Sequence, residues 1–363
     1  MSFRRSPRRI IKSILSMALS CALAAAVTPA TAQQATLYGH AQVTAEEFGR
    51  GGDNGLGFDR MRLGGRYSQG AFDSHLQLDF NAEPTRRRQT GTLLRAVQQV
   101  YASWQLRDGP KLTAGQMKTP LGMDFNRPGA DLDITKRGLD AALVLNRAVG
   151  VMAGQRDLPF GLGYDVGVFG PAGRSAAVFG VDGDPFDQEG EDFTYVARLH
   201  WQPVAPLELE ASAGRAEDAG GADASSDYEV FDLGAKFQQG PLTLRAEYID
   251  GQQLRGTEGR DQDAWYAHAG WQVAERLELV SRHYEGESRT PLGSSELENT
   301  VYGVNLYLGP DAERRNLRVQ INYLDASPGP GGWNGVGGFT SDAWLVQLQL
   351  FDSLNLLDYL AAR

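Results

Sequence analysis

The chain has 363 residues, with 35 Lys and Arg against 45 Asp and Glu, which gives a formal net charge of −10. This acidic balance argues against nucleic-acid binding as a main role. A single cysteine, Cys21, excludes an internal disulfide framework. The mean hydropathy of −0.36 and the 44 glycines would suit a soluble protein, unless polar and apolar residues alternate along the chain.

Residues 1–32 have the organisation of a secretory signal peptide. A basic head without acidic residues precedes an apolar run over 14–27, and Ala30-Thr31-Ala32 supplies small residues for cleavage. The run is too short to cross about 30 Å of hydrocarbon comfortably. We expect cleavage after Ala32, which removes five basic residues and no acidic ones and shifts the net charge from −10 to −15.

From residue 36 onward the sequence predicts short strands, because apolar and polar residues alternate with period two. For example, Leu317, Val319 and Ile321 alternate with Arg318 and Gln320. We predict sixteen strands, near residues 36–48, 57–68, 71–82, 94–106, 111–118, 147–156, 161–170, 193–202, 206–214, 228–238, 241–250, 263–273, 276–286, 299–309, 315–325 and 342–351.

The connections between these strands alternate between tight turns and long polar stretches. Turns such as 68–70 and 238–240 contrast with stretches such as 119–146 and 171–192. Transmembrane β-barrels have short periplasmic turns and longer extracellular loops, whereas a soluble β-sandwich has no reason to follow that rule. The many charges on the polar faces also disfavour a dry sandwich core, since buried charges need partners.

We therefore predict an all-β protein, a transmembrane antiparallel β-barrel of about sixteen strands in the outer membrane of a Gram-negative cell. Lipid cannot satisfy free backbone groups, so the strands must form a closed sheet with apolar side chains facing lipid. The predicted organisation is a signal peptide over 1–32, a barrel domain over 33–351 and a C-terminal extension over 352–363. An even strand count places both termini on the periplasmic side.

Several segments resemble known porins. Residues 115–122 (GQMKTPLG) are similar to the fifth-strand segment of the phosphate-selective porin O and P family. Residues 301–308 followed by 317–323 resemble the late hairpin of that family, and residues 36–39 (TLYG) resemble the first strand of general trimeric porins.

The resemblance implies a homotrimeric porin in contact with outer-membrane lipid, with a long third extracellular loop, here about 119–146, folded into the pore. It also implies an anion or phosphate preference. Porins usually end on an aromatic residue that the assembly machinery reads, and Phe351 would serve, although the chain continues to Arg363.

A pore selects solutes by its radius and by the charges that line its narrowest part. We expect a basic wall opposite a partly acidic third loop, with a field across the constriction. The candidate lining residues are Arg60, Arg62, Arg66, Arg95, Lys118, Asp124, Arg127, Asp131, Asp133, Lys136 and Arg137. Alternatively, the arginines pair with Asp73, Asp79 or Asp124 and hold the loop in place, and both roles can coexist.

The sequence thus favours a porin for passive diffusion of small hydrophilic solutes, including inorganic anions, without a cofactor. The five histidines lack the paired spacing of a zinc site, and no nucleophile motif is present. Three alternatives remain: a non-specific or cation-preferring general porin, which the negative net charge favours; a plugged structural barrel; and a barrel enzyme.

Overall fold

The computed structural model describes residues 33–49, 54–81, 96–170, 193–217, 219, 226–310 and 315–361. Within these residues sixteen antiparallel strands form one closed barrel, in which each strand pairs with its neighbours in sequence and the first pairs with the last. The strands are β1 Gln33–Phe48, β2 Gly55–Gln69, β3 Phe72–Asp79, β4 Val97–Gln105, β5 Lys111–Lys118, β6 Arg147–Leu158, β7 Leu162–Phe169, β8 Thr194–Val204, β9 Leu207–Ala216, β10 Tyr228–Gln239, β11 Leu242–Gln252, β12 Asp261–Ala274, β13 Leu277–Thr290, β14 Gly293–Tyr307, β15 Leu317–Pro328 and β16 Ala343–Asn355.

The predicted fold class is confirmed, and all sixteen predicted strands are present. The tight turns are also where they were expected: Gly70 and Gly240 adopt positive φ angles of 58° and 56° between β2 and β3 and between β10 and β11. Glycine takes this backbone conformation without a steric penalty. The predicted signal peptide and Arg95 lie outside the described residues.

The last strand is longer than the alternation indicated. It continues past Phe351 to Asn355, which pairs with Thr36, and a short helix, α3 (Leu356–Ala361), follows. Residues 352–355 therefore form part of the barrel wall. In the same register Phe351 lies opposite His40, and its ring lines the interior rather than the outer face.

The two faces of the barrel have opposite polarity. Outward side chains such as Leu244, Leu348 and Trp344 are exposed, whereas the inward residues Arg318 and Gln347 are fully buried. This is the arrangement of a barrel that faces lipid outside and water inside, and the inverse of a soluble barrel.

The long connection between β5 and β6, residues 119–146, contains two short helices, α1 (Met123–Asn126) and α2 (Asp140–Leu143). It folds into the barrel, where Leu121, Leu139 and Leu143 are fully buried. This segment is called the third loop below. Among the described residues, no helix has the length and apolar character needed to cross a bilayer.

The adjacent residues Val151 and Met152 on β6 provide a test of this polarity. Val151 is exposed on the outer face, and Met152 lines the interior cavity. We expect Val151→Arg to lower the free energy of unfolding by about 2–4 kcal/mol, because it places a charge in the apolar band. Met152→Arg should cost clearly less, since its charge meets water. Denaturant unfolding in lipid vesicles measures both, and equal losses would contradict the assignment of the two faces.

Candidate pore constriction

The third loop is held against one side of the barrel interior. Amide side chains of the wall form hydrogen bonds with its backbone, and they come from β1, β14, β15 and β16. The bonds are Gln42 to the Gly129 carbonyl (3.3 Å), Gln349 to the Ala130 carbonyl (3.1 Å), Gln320 to the Leu132 carbonyl (3.2 Å), Asn305 to the Asp133 carbonyl (2.9 Å) and the Thr135 N–H to Asn322 (2.8 Å). Because these bonds satisfy an irregular backbone away from bulk water, they fix the loop in one position.

Asp124 anchors the start of the loop. Its carboxylate lies 3.1 Å from Arg282 of β13, 3.3 Å from Arg127 and 3.7 Å from Arg137. Burial alone would raise the pKa of Asp124, but these guanidinium groups hold it well below its usual value. Asp124 therefore stays ionised and points at the wall.

Asp133 forms a second anchor. It accepts a hydrogen bond from Arg245 of β11 and lies 3.2 Å from Arg127 and 3.4 Å from Arg315. Burial opposes ionisation, yet Arg127 and Arg245 keep the pKa of Asp133 well below its usual value. The loop thus directs two of its carboxylates into a basic patch on the β11–β15 side of the barrel.

Other loop residues are also engaged. Lys136 pairs with Glu46 of β1 and lies 3.6 Å from Asp59 of β2. The backbone carbonyl of Asp131 accepts hydrogen bonds from Arg127 and Arg315. These contacts join the loop to β1, to β2 and to Arg315, in addition to the acidic anchors.

A cavity of about 1440 Å³ remains between the loop and the wall formed by β1–β7 and β16. Among the described residues, seven basic ones line it: Arg62, Arg66, Lys111, Lys118, Arg137, Arg147 and Arg156. Its acidic lining residues are Asp108, Asp157 and Asp165. The open part of the interior is therefore basic.

Three cations converge where the loop meets this cavity. The Lys118 ammonium lies 4.9 Å from the centroid of the Phe125 ring, and the guanidinium carbons of Arg147 and Arg137 lie 5.7 and 5.9 Å from it. Lys118 also donates hydrogen bonds to the carbonyls of Phe125 and Arg127. Within the part of the chain that the structure describes, only Arg137 of these three cations has a carboxylate at ion-pair distance. An excess of positive charge results.

The structure distributes the predicted lining residues between two roles. Arg62, Arg66, Lys118 and Arg137 line the cavity. Arg60 lies beside it and donates to Gln42, while Arg127, Asp131 and Lys136 hold the loop. Asp124 and Asp133 are buried against the opposite wall. The expected field between a basic wall and an acidic loop therefore does not arise from these two carboxylates.

The alternative, in which arginines pair and brace the structure, holds in part. Arg62 lies 2.8 Å from Asp79 on β3, as that alternative expected. Asp124 lies 3.3 Å from Arg127 and 3.7 Å from Arg137, also as expected, and in addition pairs with Arg282. Asp73 instead pairs with Lys111 at 2.6 Å. The predicted basic residues thus both line the cavity and hold the structure together through ion pairs.

Sequence reasoning missed Arg147, which lies directly opposite Lys118 in the β5–β6 register. Counting by two from the exposed residues Val149 and Val151 would assign Arg147 to the lipid face. An arginine side chain facing lipid is costly, so the alternation conflicts with the charge at this position. That conflict was the signal that could have identified Arg147. Asn146, with φ 59°, turns the backbone just before Arg147, and the Arg147 side chain lines the cavity.

With this geometry established, the chain can be compared with known proteins. Residues 135–290, less than half of the chain, match the family model described as Gram-negative porin. Among curated protein sequences, none matches significantly. OmpT, an outer membrane protein of Vibrio cholerae solved in a trimer form, superposes with a TM-score of 0.63 and 11% identity over 89% of this chain and 100% of that one.

The chain has the porin fold. An anion-selective porin from Comamonas acidovorans superposes with a TM-score of 0.60 and 14% identity, over 89% of this chain and all of that chain. The outer membrane channel DcaP of Acinetobacter baumannii gives 0.59 and 11%, over 88% and 97% of the two chains. The family match and these neighbours support an outer-membrane channel.

The anchor between Asp124 and Arg282 can be tested by removing the cation. Arg282→Met leaves a buried carboxylate with fewer partners, and we expect it to lower the free energy of unfolding by about 3 kcal/mol. Arg215→Met is the matched control, because Arg215 is half exposed and pairs with Asp227 at the surface, where we expect a loss of about 1 kcal/mol or less. Denaturant unfolding compares the two, and similar losses would show that the anchor is not strong.

Asp140 of the same loop gives a pH-dependent prediction. Both of its carboxylate oxygens are buried without a hydrogen-bond partner among the described residues. Burial, together with the negative charges of Asp124 and Glu247, raises its pKa well above the usual value. Because the pKa of Asp140 is higher in the folded chain than in the unfolded chain, this group favours folding at pH values below its unfolded pKa. Its contribution to the free energy of unfolding is lost as the pH rises through its folded pKa. Asp140→Asn should therefore become increasingly stabilising relative to the parent as the pH rises above about 4, the usual pKa of an aspartate. A pH-independent difference in the free energy of unfolding, measured with denaturant, would contradict this.

Proposed function

We propose that this chain is an outer-membrane porin through which small hydrophilic solutes diffuse passively. The match of residues 135–290 to Gram-negative porins supports this proposal, as do the porin structures that superpose on it. The apolar outer face and the polar cavity beside the third loop provide the physical basis.

We further propose that the constriction prefers anions. The observation that carries this proposal is the orientation of the loop carboxylates: Asp124 and Asp133 neutralise Arg282, Arg245 and Arg127 on one side. Among the described residues, Lys118 and Arg147 therefore face the cavity without an equivalent partner. Like charges that line a narrow low-dielectric passage raise the local concentration of counter-ions. The anion selectivity stated for the Comamonas acidovorans porin supports the same preference.

Phosphate preference is a narrower proposal and rests on the resemblance of residues 115–122 to phosphate-selective porins. Lys118, within that segment, is one of the three cations around Phe125. The rival proposal is a cation-preferring general porin, which the net charge of −10 favours. These possibilities differ in the ion that carries the current.

The assembly proposals follow from the same comparison. A homotrimer is supported by the trimer form of the Vibrio cholerae OmpT structure. Export through the periplasm, with cleavage after Ala32, is supported by the organisation of residues 1–32. Residues after Asn355 would then form a short periplasmic extension.

The reversal potential across a planar bilayer in a KCl gradient tests the ion preference. We expect the sign of an anion-preferring channel, and a fall of at least about two-fold in the chloride-to-potassium permeability ratio for Lys118→Gln/Arg147→Gln. The control is Arg289→Gln, because Arg289 lies at the end of β13, away from the cavity, and pairs with Asp263 and Glu287.

The outcome separates the candidates. A clear cation preference of the parent channel would refute the proposed anion preference and favour the general porin. If the double variant and the control behave alike, the Phe125 cluster does not set the selectivity. Replacing chloride with phosphate in the same experiment distinguishes a phosphate preference from a general anion preference.

A further inference from the structure

A row of aromatic rings crosses the cavity wall next to the cations. Phe351 of β16, Tyr38 of β1, His75 of β3 and Tyr101 of β4 follow one another around the wall, with β2 between Tyr38 and His75. Successive ring centroids are 5.9, 6.0 and 5.2 Å apart. We call these four residues the aromatic row.

Gly64 makes the row continuous. It lies opposite Tyr38 in the β1–β2 register, and a Cβ atom at this position would stand 2.1 Å from the Tyr38 ring. Because β2 provides no side chain there, the Tyr38 ring extends over it toward β3, where its hydroxyl forms a 2.7 Å hydrogen bond with His75. A larger residue at position 64 would interrupt the row.

The row differs from the other inward aromatic residues. Tyr228, Tyr266 and Tyr284 are buried, and the first of them is bonded to the Leu143 carbonyl of the third loop. All four residues of the row line the open cavity; Tyr38 and His75 are themselves largely buried, but Phe351 and Tyr101 are only half-buried. Rings that border water present a free apolar face, on which a flat molecule can stack.

Arg66 supplies a charge at the edge of the row. Its guanidinium carbon lies 5.6 Å from the centroid of the Tyr38 ring, and the residue stands directly opposite His75 in the β2–β3 register. Arg66 is exposed, and no carboxylate lies within ion-pair distance of it among the described residues. An arginine held in this way can bind a carboxylate through two parallel hydrogen bonds.

We propose that the aromatic row and Arg66 form a subsite for planar aromatic carboxylates on their way through the channel. The ring of such a molecule stacks on one of the two half-buried rings at the ends of the row, Tyr101 or Phe351, while its carboxylate meets the Arg66 guanidinium near the middle. Pockets that combine an apolar surface with one well-placed charge orient a ligand in this manner. The inference rests on the proposed passage of anions, and it adds a class of solute that a basic constriction alone would not distinguish.

Block of the chloride current by two acids tests the subsite. Benzoate and cyclohexanecarboxylate carry the same charge on a six-membered ring, but only benzoate is planar and aromatic. With the full-length protein in a planar bilayer, we expect benzoate to halve the current at a concentration about five-fold lower than cyclohexanecarboxylate. In Tyr101→Leu/Phe351→Leu this ratio should fall to about one, whereas Tyr302→Leu, on the outer face, should keep it.

Two further variants separate the ring from the charge. Tyr101→Phe retains the aromatic face and should retain the ratio, which also guards against a folding defect in the leucine variants. Arg66→Gln should weaken the block by both acids, because it removes the charge that they share.

The outcomes for the subsite and for the anion preference are distinguishable. Equal block by the two acids in an anion-preferring parent channel would overturn the subsite and leave the anion preference intact. A cation-preferring reversal potential with no block by either acid would overturn both. If the leucine variant keeps the parent ratio, the selectivity for planar acids does not come from the aromatic row.

Discussion

The pairing of β1 with β16 is the constraint on which the rest of the structure depends. Residues 36–48 pair with residues 343–355, so the sheet has no free edge. In lipid an open edge would leave backbone N–H and C=O groups unsatisfied, and closure removes that cost. Closure also separates two environments, because alternate side chains of each strand point to lipid or to the interior. Charged residues can then occupy every strand of the inner wall without a dry core around them.

The position of the third loop follows from the charges of that inner wall. Arg245, Arg282 and Arg315 project from β11, from β13 and from the residues just before β15, and they meet Asp124 and Asp133. Buried ion pairs of this kind contribute little to stability by themselves, but a buried carboxylate without them would be strongly destabilising. The loop is therefore confined to the side of the barrel that can neutralise it. The open cavity lies on the other side, which the loop does not fill. It is basic because the loop directs Asp124 and Asp133 away from it.

The strands were predictable because a strand in a wall with one wet face imposes period two on the sequence. The end of β16 was not, because an apolar residue, Phe351, stands at an inward position and a charged one, Asp352, at the outward position that follows. The strand continues there because Thr36 to Gly39 of β1 need hydrogen-bond partners. The position at which β16 ends is therefore determined by its pairing with β1 and not by the local sequence.

The candidate site was predictable in composition but not in orientation. The sequence placed basic residues on β2 and on the third loop, and many of them line the cavity or lie beside it. It could not indicate which way the acidic residues of the loop point, since an irregular segment has no periodicity to read. Arg127 is close in sequence to Asp124 and Asp133 and pairs with both, but their partners on the wall, Arg282 and Arg245, are more than a hundred residues away. Only the three-dimensional arrangement identifies them.

The contrast between a net charge of −10 and a basic cavity is a matter of distance. Charges in water act over about one Debye length, about 8 Å at physiological ionic strength, so carboxylates at the rim contribute little at the constriction. Several of them, such as Asp263 and Asp227, are also paired with arginines. Charges inside the barrel are screened less, because part of their surroundings is protein and lipid rather than water. The ion preference that we propose therefore depends on a few side chains around Phe125, and the total charge of the chain is a poor guide to it.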